Sequence, residues 1–155
     1  MALAKERQPI PPLDTPFTQK ELKRVYGSIH PPADAGATWT VYTDGSVIRQ
    51  DGRAMGAFGG TFTQGPATPA DFQGRVLELP LSSTRMEAMA IIAVVAIAPP
   101  STPLDIFTDS KAAIHMVERA SAPIATRELF NSPDAFLWLH LRDMLQSRHA
   151  PVKVV

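Results

Sequence analysis

Three acidic residues occupy settings suited to holding a cation. Asp44 lies in Val41-Tyr42-Thr43-Asp44-Gly45-Ser46, Glu87 in Ser83-Thr84-Arg85-Met86-Glu87-Ala88-Met89-Ala90, and Asp109 in Ile106-Phe107-Thr108-Asp109-Ser110-Lys111-Ala112-Ala113. The first and third end apolar strands, and the second opens an apolar helix. Carboxylates at element ends can converge on one rim and bind divalent cations through oxygen ligands. At a separation of about 4–5 Å, each pair repels by several kcal/mol at an effective dielectric near 20. Without cations such a cluster raises carboxyl pKa values or loosens the rim. Two cations roughly 3.5–4 Å apart relieve the repulsion, one activating a water for in-line attack on a phosphate and the other stabilising the leaving oxygen. That chemistry needs no histidine or cysteine nucleophile.

Each residue also has a plain structural use. Asp44-Gly45 is turn chemistry. Thr84 and Glu87 read as a capping box, with Thr84 at the N-cap and Glu87 at N3. The helix after Asp109 is capped by Asp109 or Ser110, and as N-cap Asp109 would accept from the amides of Lys111 or Ala112. Glu87, however, is the sole charged residue between Arg85 and Asp105. The joint occurrence of all three, in order, carries the metal-site reading.

The elements that must position these residues follow from patterning. Residues 1–36 hold six of the fifteen prolines, which favours an extended linker, with one short helix from Thr18 to Tyr26 ended by Gly27. The body, 37–155, opens with a predicted strand from Trp39 to Ser46 stopped by Asp-Gly-Ser, a second from Arg53 to Thr63, a turn over Gln64–Asp71 and a third strand from Phe72 to Leu79. Short connections make these an antiparallel meander. An all-apolar, hence buried, helix follows from Arg85 to Ala98 and is ended by Pro99 and Pro100. Leu104–Thr108 is a fourth strand, parallel to a neighbour because a helix precedes it. Helices over Ser110–Arg119 and Pro133–Arg148 come next, the latter with Phe136, Leu137, Leu139, Leu141, Met144 and Leu145 as apolar positions and Trp138 in the core. Val152–Val155 begins a last strand. The fold class is α/β with a mixed sheet (α+β): three antiparallel strands, then helix–strand–helix–helix–strand, helices packed on the sheet.

The chain has 155 residues, 45% of them hydrophobic, which suits one domain with its own core. Fifteen basic residues balance fifteen acidic ones, so no strong field drives autonomous nucleic-acid binding. Cysteine is absent, which excludes disulfides and thiolate metal sites. No signal-peptide core or membrane span is present, and an intracellular, soluble protein of cytoplasm or nucleus is expected.

Over Ala37 to Val155 the three acidic strings resemble the type 1 ribonuclease H family, which cuts the RNA strand of RNA–DNA hybrids. The resemblance implies that Asp44, Glu87 and Asp109 are catalytic metal ligands for Mg²⁺ or Mn²⁺, two ions in all. It implies an RNA–DNA hybrid gripped across its minor groove through 2′-hydroxyls and helix shape, with Gly45, Ser46, Ser83, Thr84, Arg85 and Ser110 as contacts. The family often has asparagine before its helix, where this chain has Ser82-Ser83-Thr84. The sequence given also stops before the family's His-bearing loop and final helix with a fourth acidic ligand; none of His30, His115, His140 and His149 fits the loop, and Asp134 and Asp143 precede the last strand. A lost ligand lowers metal affinity, which leaves a catalytically weak or inactive module for nucleic-acid or protein binding as the alternative. The Pro-rich lead-in resembles, by analogy, a retroelement polyprotein with a reverse transcriptase upstream. A transposase or exonuclease core of the wider superfamily fits the Thr-Asp-Gly-Ser, Met-Glu-Ala and Thr-Asp-Ser strings less well.

Overall fold

The computed structural model describes residues 37–65, 70–76 and 81–155. The helix predicted from Thr18 to Tyr26 lies outside the described residues, as do 66–69 of the predicted turn and 77–80 at the end of the third predicted strand.

Alternating side chains build β1 (Trp39–Gln50), with Trp39, Val41 and Thr43 turned inward and Tyr42, Asp44 and Ser46 outward. Asp44-Gly45-Ser46 was expected to stop this strand, but it lies inside it. Antiparallel pairing with β2 (Arg53–Gln64) runs through Asp44↔Gly59 and on to Gln50↔Arg53. The chain reverses at a second Asp-Gly, Asp51-Gly52, with φ of 53° and 74°. Two successive positive φ values define a two-residue type I′ hairpin, and Asp-Gly adopts them with little strain. β3 (Ala70–Val76) pairs antiparallel with β2 and completes the meander, with Phe72 and Val76 in the core.

The chain then crosses over through α1 (Ser83–Ile97) into β4 (Leu104–Phe107), which pairs parallel with β1. Every residue of α1 from Arg85 to Ala96 is buried. That matches a helix apolar on all sides: α1 contacts β1 and β2, and also α2 (Lys111–Ser121) and α4 (Ala135–Gln146). Ala113, Met116, Val117 and Ala120 form the inner stripe of α2, and Leu137, Trp138, Leu141 and Met144 that of α4. A short helix not foreseen from the sequence, α3 (Arg127–Phe130), is anchored by the buried Leu129. Phe136, one of the apolar positions of this helix, is 44% exposed, and the Arg85 guanidinium lies 5.1 Å from its ring centroid. β5 (Val152–Val154) pairs parallel with β4, giving the sheet order β3-β2-β1-β4-β5. Among the described residues no helix is long and apolar enough to cross a membrane.

Two arginines near the end of α4 hold the far ends of the other long helices. Arg142 donates from Nη1 to the carbonyls of Ala120 (3.1 Å) and Ala122 (2.6 Å), and from Nη2 to Pro123 (3.2 Å). Arg148 donates to the carbonyls of Val95, Ala98, Pro99 and Thr102 around the end of α1. The carbonyls of Ala120 and Val95 belong to last helical turns, where intrahelical donors run out, and the others follow the helix ends. Arg142→Ala leaves three of them short of a charged donor and is expected to destabilise the fold by about 3 kcal/mol. Arg142→Lys should recover less than half of the loss, because an ammonium cannot reproduce the planar fork. Urea denaturation of both variants measures this.

Candidate metal centre

Parallel register sets two of the three acidic residues side by side. Tyr42 pairs with Phe107 across β1 and β4, and their rings stack at 4.9 Å with 17° between planes. Each is followed by Thr and then Asp, so Asp44 and Asp109 leave neighbouring strands at the same level. The third comes from α1, and Gly45 lets it in. A Cβ at Gly45 would stand 2.5 Å from the Met86 carbonyl carbon and 2.6 Å from the Glu87 amide nitrogen. The missing side chain therefore allows the backbone of α1 to rest on β1 and brings Glu87 to Asp44.

The outcome is a cluster in which Asp44, Glu87 and Asp109 each offer a carboxylate oxygen within 4.8 Å of the others. Asp44 and Asp109 are exposed, whereas Glu87 is only 5% exposed. Burial raises the Glu87 pKa to about 7, assisted by the charges of Asp44 and Asp109 and opposed by hydrogen bonds from the Gly45 amide and the Thr108 hydroxyl. The Gly45 amide also donates to Asp44 Oδ1 at 2.9 Å.

Neither Glu87 nor Asp109 is occupied by capping. The N-cap of α1 is Ser82, whose hydroxyl accepts from the Arg85 amide at 3.1 Å. Thr84 is thus already helical, and Glu87 lies two positions beyond the predicted N3. The N-cap of α2 is Ser110, accepting from the Ala113 amide at 3.1 Å, which leaves the Asp109 carboxylate free. Serine at both caps removes the competition expected from the sequence.

The other predicted contacts divide into two groups. Ser46 and Ser83 are exposed and Thr84 is half-buried. Gly45 serves the helix–strand contact and the Ser110 hydroxyl serves a cap. Arg85, also expected as a contact, is 7% exposed, 3.4 Å from Asp134 and packed on Phe136 at the base of α4. Two residues escaped the sequence reading. Thr43 is buried and donates to the Phe107 carbonyl at 3.3 Å, tying β1 to β4 beneath the site. Thr108 donates to Glu87 Oε2 at 3.3 Å. The repeated aromatic-Thr-Asp triplet was the signal for both. Among the described residues no histidine joins the cluster: His115 pairs with Glu128 at 2.7 Å on the surface.

The donor set fits a hard divalent cation: three carboxylates, no neutral donor of a softer kind, and no ion pair to any of them among the described residues. Residues 36–153 match the family model described as RNase H. The chain belongs to the ribonuclease H family. Among solved structures, RNase H1 from the halophilic archaeon Halobacterium salinarum NRC-1 is similar to this ribonuclease H chain, with a TM-score of 0.50 and 17% identity over 77% of this chain and 86% of that one. At that identity the likeness concerns the fold. No curated protein matches the sequence.

The raised pKa has a measurable consequence for the metal-free protein. Glu87 ionises near 4.5 when unfolded and near 7 when folded, so the fold binds the extra proton between those values. Stability is therefore expected to fall as pH rises from about 4.5 to 7 and to level off above it. Thermal melting in chelator across that window should show the slope, and Glu87→Gln should flatten it. An unchanged slope in the variant would assign the titration to another group.

Proposed function

We propose that this ribonuclease H chain is a metal-dependent endonuclease that hydrolyses the RNA strand of RNA–DNA hybrids, with Asp44, Glu87 and Asp109 as the ligands of two Mg²⁺ or Mn²⁺ ions. The observation that carries the proposal is the convergence of three carboxylates, uncompensated by any cationic side chain among the described residues, in a chain of this family. When bound, such ions supply the positive charge that lowers the pKa of a water and stabilises the leaving 3′-oxygen.

The chain's own residues prepare that chemistry. Asp44 and Asp109 present exposed carboxylates at the strand rim, and Glu87 presents one from a dry environment. Glu87 would give up its proton on taking up a cation, so cation affinity is expected to rise with pH up to about 7 and to level off above it. Ser46, Ser83, Thr84 and the backbone of Gly45 and Ser110 are assigned here to reading a hybrid's 2′-hydroxyls and phosphates by shape, a role the exposure of Ser46 and Ser83 supports. Balanced charge leaves little electrostatic affinity in the domain alone. That balance supports a role for residues 1–36 as a Pro-rich tether beside the domain at 37–155, joining it to a neighbour such as a retroelement reverse transcriptase.

The test is cleavage of a labelled hybrid with Mg²⁺ or Mn²⁺, with chelator, and beside all-RNA and all-DNA duplexes. Asp44→Asn and Asp109→Asn are each expected to reduce the rate by more than about 100-fold, beyond the effect typical of groups that only support ligands. Hybrid binding without metal-dependent cleavage by the folded wild-type chain would replace the nuclease reading with that of a binding module.

A further inference from the structure

Thr108 links two parts of the metal centre, Glu87 on α1 and the turn that carries Asp109. Its Oγ1 accepts a hydrogen bond from the Ser110 amide at 3.1 Å and lies 3.3 Å from Glu87 Oε2. A hydroxyl has one proton. With the Ser110 amide donating into its lone pair, that proton is directed at Glu87. The first contact closes a local turn around Asp109, from Thr108 to Ser110. The Ser110 hydroxyl then caps α2 through the Ala113 amide. One side chain thus fixes the turn that carries Asp109 and one oxygen of Glu87, a residue 21 positions earlier in the chain. Thr43, the equivalent residue of the other aromatic-Thr-Asp triplet, donates to the Phe107 backbone carbonyl and to no ligand in the described network. The two threonines are therefore not interchangeable.

We infer that Thr108 is a positioning residue of the metal centre, whose hydroxyl fixes the orientation of the Glu87 carboxylate through Oε2. The inference rests on the ligand assignment proposed above. Hydrogen bonds that orient ligating carboxylates typically change metal affinity by about 10–100-fold when removed. Valine matches threonine in shape but lacks the hydroxyl, and serine keeps the hydroxyl without the methyl group. These two variants separate hydrogen bonding from packing.

The experiment is calorimetric titration of chelator-stripped protein with Mn²⁺ alone, without nucleic acid, for wild type, Thr108→Val, Thr108→Ser and Asp44→Asn. Thr108→Val is expected to weaken Mn²⁺ binding by about tenfold or more, and Thr108→Ser to restore it to within about threefold of wild type. Circular dichroism melting of the metal-free Thr108→Val protein should show an intact cooperative fold; if it does not, Thr108→Ser against Thr108→Ala in the same titration decides the question. Wild-type affinity in Thr108→Val, or equal impairment in Thr108→Ser, would overturn the role of the hydroxyl while leaving the ligand assignment standing. Binding in wild type that survives Asp44→Asn unchanged would overturn the ligand assignment and the inference with it.

Discussion

The contact of α1 with β1 at Gly45 governs the layout of the site. A helix backbone can rest on a strand backbone only where no side chain intervenes, and Gly45 supplies that place beneath Met86 and Glu87. From there α1 is committed to running along the sheet with every residue from Arg85 to Ala96 buried. Burying Met86, Met89, Ile91, Ile92, Val94 and Val95 contributes on the order of 10 kcal/mol. Repulsion within the acidic cluster is several kcal/mol for each close pair, and protonation of Glu87 removes two of the three pairs, leaving a term smaller than the burial. The core therefore forces the carboxylates together, and the charge they bring is a consequence of packing elsewhere.

A second constraint is the parallel pairing of β1 with β4. It aligns two aromatic-Thr-Asp triplets so that the rings stack, the threonines reach to either side and the aspartates share one rim. Parallel strands require a crossover, and here the crossover is α1 itself. The element that links the two aspartates in sequence thus delivers the glutamate between them in space.

The order of the elements, the buried character of α1 and the acidic trio were legible in the sequence because each depends on periodicity or on strings spanning several residues. Details decided by tertiary placement were not. Two Asp-Gly dipeptides are equivalent as turn signals, and only pairing from Asp44↔Gly59 to Gln50↔Arg53 selects Asp51-Gly52. Ser82 and Thr84 have similar capping preferences, so the choice of Ser82 depended on where α1 meets the sheet. Arg85 pairs with Asp134, 49 residues away, which no local string shows. Phe136 fell on the apolar pattern of α4 yet is 44% exposed, with its ring against the same arginine. Four residues of α3 were too few to show a period.

The arginines of α4 lie at the other end of the molecule from the carboxylates. Between Glu87 and Ile97, where α1 ends, the helix rises by about 15 Å. Arg148 gathers carbonyls beyond that end, and Arg142 does the same for α2. Substitution there alters how many molecules in a population are folded and leaves each folded molecule with the same carboxylate geometry. Substitution around Gly45 does the reverse as well, since it moves Glu87 directly. The arginine end thus bears on the folded fraction alone, whereas Gly45 and Glu87 bear on both the folded fraction and the geometry of the cluster.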